Sequence, residues 1–256
     1  MNGSAETICP DAAEKRAPNA KDDTVEAVIV VPCFNEERRL KTREFAEFSA
    51  LHPNISYIFV NDGSTDGTSR LLAEMCAGDP LRALELKCNV GKAEAVRRGM
   101  LEALKSGCAC GFLDADLSTP LNELPGMLEV LGRGDFQCVI GSRWLHLGNC
   151  RIKRRFFRHF IGRIFATCVS MKLDLPVYDT QCGAKLFSHE AAVAAFASPF
   201  VTRWFFDVEI LMRLQRFYRA DPPPVLEYPV NWIDSPGSKV SYCRALVDFL
   251  KLMVLK

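Results

Sequence analysis

From Val25 onward, short runs rich in β-branched and aromatic residues alternate with longer stretches of helical spacing, and this alternation restricts the chain to few folds. The β-rich runs fall at 27–31, 55–60, 81–86, 108–113 and 136–140, with helical stretches at 37–50, 66–77, 92–106 and 121–131 between them. Strand–helix–strand units of this length build a mostly parallel sheet flanked by helices. Ala27, Val28, Ile29, Val30 and Val31 are apolar without a break, which predicts a strand buried on both faces. After Arg143 the pattern changes. A basic stretch at 151–158 runs into an aromatic and aliphatic one at 156–171. A mixed region follows, with a helix predicted at 206–217, a proline turn at 222–224, a strand at 225–231 and an amphipathic helix at 243–255. No flexible linker separates the two parts, so residues 25–256 read as a single α/β domain.

Composition narrows the function classes. The chain has 256 residues, 48% hydrophobic and 25% charged, with a formal net charge of +1. Such a chain is neither disordered nor a multi-span membrane protein, and its overall charge does not call for nucleic acid. Eleven cysteines are present, an odd number, and no Cys-x-x-Cys pair occurs. Cys108, Cys110 and Cys138 sit in apolar runs, where cysteine acts as a small hydrophobe. A reducing cytosol is the expected setting. Residues 1–24 are polar, lack the apolar core of a signal peptide and are expected to be a disordered tail. No apolar stretch reaches the ~18 residues that a spanning helix needs, so a membrane would be met at its surface.

Three loops follow β-rich runs and hold unusual polar clusters, at the edge where open α/β sheets bind ligands. The first is Pro32-Cys33-Phe34-Asn35-Glu36-Glu37; the second runs from Asn61 and Asp62 through Thr65 and Asp66 to Thr68. The third, Asp114-Ala115-Asp116, places two carboxylates on one side of an extended chain. Their repulsion is relieved by a hard divalent cation, and Mg²⁺ or Mn²⁺ held there can also bind a nucleotide diphosphate. A solvated turn has the same short pattern. In the second loop Asp62-Gly63 also reads as a turn, with Thr65 or Asp66 capping the next helix. Neither a P-loop nor a Gly-x-Gly-x-x-Gly fingerprint is present.

Taken in order, these loops with Asn89-Val90-Gly91-Lys92 resemble the signature of family 2 glycosyltransferases. Gly141-Ser142-Arg143, Asp179 through Phe187, Trp204 through Glu209, Val230-Asn231-Trp232 and Pro236-Gly237-Ser238-Lys239 resemble the dolichyl- and polyprenyl-phosphate branch. The resemblance implies a GT-A, Rossmann-like fold with amphipathic C-terminal helices on the acceptor side. Residues 25–143 would be the nucleotide-sugar half and 144–256 the half facing acceptor and membrane. It implies that Pro32, Phe34, Glu36, Val60 and Asp62 hold base and ribose. Asp114, Ala115 and Asp116 would meet the sugar and the metal–diphosphate, with Asp114 and Asp116 as metal ligands. Arg143 and Lys239 would meet phosphate charge. Ala93 stands where relatives carry Gly, Ala184 where Phe is common, and Ser118 where mannosyl-transferring relatives present Gln. The implied donor is UDP-glucose first and GDP-mannose second, and the implied acceptor is a polyprenyl phosphate.

Arg151, Lys153, Arg154, Arg155 and Arg158 lead into Phe156, Phe157, Phe160, Ile161, Ile164 and Phe165 at helical spacing. This is either a core helix with a solvated basic flank or an interfacial helix on a membrane surface. In the second case Arg143, Arg154, Arg155 and Arg158 would grip the acceptor phosphate, at the cytosolic face of a membrane. A phosphate acceptor is already ionised and needs no general base. Asp179 and Asp207 would then orient Arg or Lys side chains. A soluble or polysaccharide acceptor would instead make Asp179 the first suspect as a base. A non-catalytic nucleotide-sugar-binding protein is the alternative from another class.

Overall fold

The computed structural model describes residues 25–77, 80–143, 177, 179–219 and 224–233. Expectations for residues 1–24, for Arg154, Arg155 and Arg158, for Lys239 and for the closing helix fall outside these residues. The strands are β1 (Ala27–Cys33), β2 (Ile55–Asn61), β3 (Leu81–Glu85), β4 (Ala109–Leu113), β5 (Cys138–Ser142), β6 (Ala184–Phe187) and β7 (Val225–Pro229). The helices are α1 (Thr42–Leu51), α2 (Thr68–Met75), α3 (Lys92–Ala103), α4 (Leu124–Gly132), α5 (His189–Phe196) and α6 (Phe206–Tyr218). One sheet joins the strands in the order β3-β2-β1-β4-β6-β5-β7. All pairings are parallel except those of β6, which runs against both β4 and β5.

Alternation along the central strands feeds two cores. Val28 and Val30 of β1, with Ile58 and Val60 of β2, pack under α3, α5 and α6. Ile29 and Val31, with Tyr57 and Phe59, pack under α1, α2 and α4. Both faces of β1 are therefore buried, as its unbroken apolar run predicts. In α3 the buried positions Val96, Gly99, Met100 and Ala103 follow the helical repeat. A side chain at Gly99 would meet Val30 and Val60 at 2.4 and 2.7 Å, so glycine lets α3 lie against the sheet.

Several boundaries differ from expectation for local reasons. α1 begins at Thr42, not residue 37, because the amides of residues 35–37 bond to the loop after β2 and those of Arg39 and Leu40 turn back on Glu36 O. β5 begins at Cys138, where its amide and that of Gln137 find Pro224 O. Cys108 precedes β4 instead of lying in it, and its thiol donates to Glu26 at 3.4 Å. Cys110 and Cys138 are fully buried strand residues, and burial pushes both thiols up to about 12. β6 and α5 lie in the region read only as mixed. The seven described cysteines are free. No helix among the described residues is long and apolar enough to cross a membrane.

Candidate active site

The chain leaves β1 toward β2 on one side and returns from β3 to β4 on the other, so β1 and β4 flank the point where strand order reverses. Loops diverge there and leave a crevice at the carboxyl ends of the strands. At this edge lie the end of β1 (Pro32–Glu37), the end of β2 (Asp62), the start of α3, and the end of β4 (Asp114–Asp116). Arg143 follows β5. Since β6 runs backwards, the turn before it, 179–183, comes to the same edge.

The first two loops are zipped together. Asn35 adopts φ 56°, and its side-chain oxygen accepts from Thr65 N at 2.9 Å. Asn35 N donates to Ser64 Oγ, Glu36 N to Thr68 Oγ1, and Glu37 N to Asp66 Oδ2. Asp66 also accepts from Thr68 N at 3.0 Å, tying off the start of α2. Phe34 is left 43% exposed on the rim. Glu36 is buried, pairs with Arg39 and leaves Oε2 without a hydrogen bond. Burial pushes its carboxyl above the ordinary range; Arg39 opposes this, while Asp116 and Asp114 add to it.

Three further residues expected at the nucleotide sit below the surface. Val60 is fully buried, with its side chain packed toward Gly99. The geometry thus gives Val60 a core role, because its alternation on β2 points it at α3. Ala115 is buried in the opposite core. Asp62 is 3% exposed and accepts from Val90 N at 2.7 Å and Gly91 N at 2.9 Å, closing the loop that starts α3.

Asp114 and Asp116 stand half-buried at the crevice. Asp114 N donates to Gly183 O at 3.0 Å, and a Cβ at Gly183 would come within 2.1 Å of Asp114 Oδ2. Glycine is required there to leave the carboxylate its place. Asp114 Oδ1 is buried, and Lys92 Nζ, 2.5 Å away, answers its charge. Burial alone would lower the Lys92 pKa, but Asp114, Asp207 and Asp116 outweigh it and raise it. Asp116 accepts from Ser118 N at 3.0 Å, and Ser118 O accepts from Ile233 N at 2.8 Å. The segment after β7 is thereby fastened against the Asp-x-Asp loop.

Arg143 is gripped by Asp179 at both ends. Its Nε and Nη2 donate to Oδ2 and Oδ1 at 2.6 and 2.5 Å, and its backbone N donates to Oδ2 at 2.9 Å. Asp179 N is in turn held by Glu227 at 2.7 Å, and Trp232 lies 5.7 Å under the guanidinium. Burial opposes the Arg143 charge, but the Asp179 carboxylate overcomes it and raises its pKa further. Below, Lys185 is fully buried and donates to Cys182 O at 2.7 Å and Asp207 Oδ1 at 2.5 Å. Both aspartates therefore orient a cation. Lys92 and Lys185 received no role from the sequence: one meets Asp114 and the other Asp207 only in the fold.

Residues 28–194 match the model of Glycosyl transferase family 2. The chain belongs to this family. The Dolichyl-phosphate beta-glucosyltransferase of Dictyostelium discoideum is 32% identical to this glycosyltransferase, covering 96% of it and 77% of that protein. Those of Drosophila melanogaster and Homo sapiens are 36% and 34% identical, over 88% and 85% of this chain and 72% and 70% of theirs. Among solved structures, glucosyl-3-phosphoglycerate synthase from Mycobacterium tuberculosis in complex with UDP aligns with TM-score 0.59 at 18% identity, over 84% of this chain and 74% of that one. Its complex with Mn²⁺, UDP-glucose and phosphoglyceric acid aligns with TM-score 0.57, also at 18% identity, over 83% and 73%. The likeness is one of fold, GT-A.

Proposed function

We propose that this glycosyltransferase transfers glucose from UDP-glucose to a dolichyl or polyprenyl phosphate with inversion. The observation that carries this is the pairing at one sheet edge of a half-buried Asp-x-Asp with an arginine aimed by a buried aspartate. Relatives named Dolichyl-phosphate beta-glucosyltransferase, matched along nearly the whole chain, supply the sugar and the acceptor class. GDP-mannose is the second donor.

In this proposal Pro32, Phe34 and Glu36 line the nucleotide side, with Asp62 shaping its floor, in the half formed by residues 25–143. Arg143, with Arg154, Arg155, Arg158 and Lys239, meets phosphate charge in the half formed by residues 144–256. Asp114 and Asp116 would hold Mg²⁺ or Mn²⁺. Among the described residues no group of three or more His, Cys, Asp or Glu could cage a metal. Two carboxylates fit a cation that completes its shell with substrate phosphates and water, as Mg²⁺ commonly does. When bound, such a cation would neutralise charge on the departing diphosphate.

The acceptor, with a second phosphate pKa of about 6, is mostly dianionic at neutral pH. One of its oxygens attacks the anomeric carbon while the bond to UDP breaks and its electron pair leaves with the diphosphate. No proton has to be removed from the nucleophile, which agrees with an Asp179 already engaged by Arg143. Arg143 aligns the attacking phosphate. An α-linked donor then gives a β-linked product. The setting is the cytosolic face of a membrane, to which the enzyme binds peripherally.

Donor consumption in Mn²⁺ buffer with a short polyprenyl phosphate tests the proposal. Asp116→Ala is expected to lower turnover by about 10²–10³ while the melting temperature stays close to wild type. Unchanged turnover by Asp116→Ala would reject the site.

A further inference from the structure

We propose that Lys92 is a resident counter-cation of the Asp114–Asp116 centre, which keeps a divalent metal weakly held until a nucleoside diphosphate draws the ammonium away. This rests on the metal–diphosphate role proposed for the two aspartates.

The root of this lysine is fixed. It is the first residue of α3, it follows Gly91 at φ 94°, and the Asp62 carboxylate clamps the amides of Val90 and Gly91 just before it. The side chain is 42% exposed, and its ammonium sits 2.5 Å from Asp114 Oδ1. The neighbouring cations are built differently. Arg143 is held by a two-pronged bond to Asp179, and Lys185 is fully buried on Asp207 and Cys182 O. A lysine ammonium on a four-carbon stem is a strongly hydrated point charge that changes partner at low cost.

The consequence is competition at a single carboxylate oxygen. A metal ligated by Asp114 would share Oδ1 with an ammonium, and two cations at that separation repel strongly in a partly buried site. With Lys92 in place the two aspartates carry a formal charge of −1 in all; without it they carry −2. A diphosphate brings charge that both cations can bridge, so the lysine has a new partner at the moment the metal gains ligands. Metal and donor thereby favour each other, and the coupling is reciprocal. Lys92 is in this sense a positioning residue that sets binding order.

The test is Mn²⁺ binding to the intact enzyme, read by loss of the free-ion EPR signal, with and without UDP. In wild type, UDP is expected to tighten Mn²⁺ binding. In Lys92→Met, Mn²⁺ affinity without UDP should rise at least tenfold, and the enhancement by UDP should shrink by a similar factor. Lys92→Arg, which keeps the charge, should restore most of the coupling. Adding Asp116→Ala to Lys92→Met should abolish the gain. If Lys92→Met binds Mn²⁺ no better than wild type without UDP, or the gain survives Asp116→Ala, the inference is wrong although the metal centre stands. If no variant binds Mn²⁺ even with UDP, the metal centre itself fails and the inference with it.

Discussion

Asp179 places both carboxylate oxygens on Arg143 from a position only 2% exposed, so the pair behaves as one unit. Removing one partner leaves the other buried without its counter-charge, which is far more damaging than losing a surface pair. Asp179→Ala should cost about 3–5 kcal/mol in urea unfolding. Asp179→Asn should retain more stability and act mainly through a higher KM for the lipid phosphate. Its rate should still fall with acidity near pH ~6, where the acceptor phosphate protonates. Loss of that limb would mark Asp179 as a base. Glu36 offers a second test. Burial raises its carboxyl pKa, so the ionised form is the one that folding disfavours. Its contribution is complete below the unfolded pKa and is lost as pH rises through the higher folded one. Melting curves of Glu36→Gln and wild type should diverge in favour of the variant from about pH 4 upward. A gap independent of pH would show that the carboxyl is unperturbed.

The turn 179–183 and β6 join the two halves of the site. The turn carries Asp179, and it supplies Gly183 O to Asp114 and Cys182 O to Lys185. Gly183→Ala would push a methyl group into the Asp114 carboxylate. It is expected to cut transfer by about tenfold or more at a stability loss of about 1–3 kcal/mol, the range of overpacking. Full activity in a folded Gly183→Ala would mean that Asp114 need not stand where it does. These same elements were the hardest to read from sequence. β1, β2 and β4 announce themselves because strands buried on both faces are apolar along most of their length. β6 is four residues long and includes Lys185, whose charge is met by Asp207, 22 positions later. That pairing is a tertiary fact without a local signal. The late start of α1 is similar: the helix was expected from residue 37, but the amides of residues 35–37 bond to side chains some 30 positions ahead. Ser188, by contrast, caps α5 by accepting from Ala191 N before an alanine-rich run, a local signal that the reading of this region as mixed passed over.

Across the whole molecule, the loops after β1 and β4 were legible as a ligand edge because alternating strands and helices imply parallel strands, whose carboxyl ends share one edge. The charge layout was legible only in part: Asp179 and Asp207 were expected to orient cations, but which cations they meet, and the pairing of Lys92 with Asp114, come from distant segments. The proposed membrane contact belongs to this scale too. Five cations between Arg151 and Arg158, at about 1 kcal/mol each near an anionic surface, would hold the enzyme there reversibly. Flotation with anionic liposomes should therefore weaken as salt rises. Replacing Arg154, Arg155 and Arg158 with Ala should reduce flotation and raise KM for lipid phosphate but not for the donor. Equal loss of donor and lipid use would make the segment structural. The most direct measurement is a donor panel of UDP-glucose, GDP-mannose and other nucleotide sugars, assayed with Mn²⁺ and a short polyprenyl phosphate, with the product linkage determined. The expected result is fastest transfer from UDP-glucose, giving a β-linked glucosyl phosphate lipid. Faster turnover of GDP-mannose, an α-linked product, or no transfer to the lipid phosphate would contradict it.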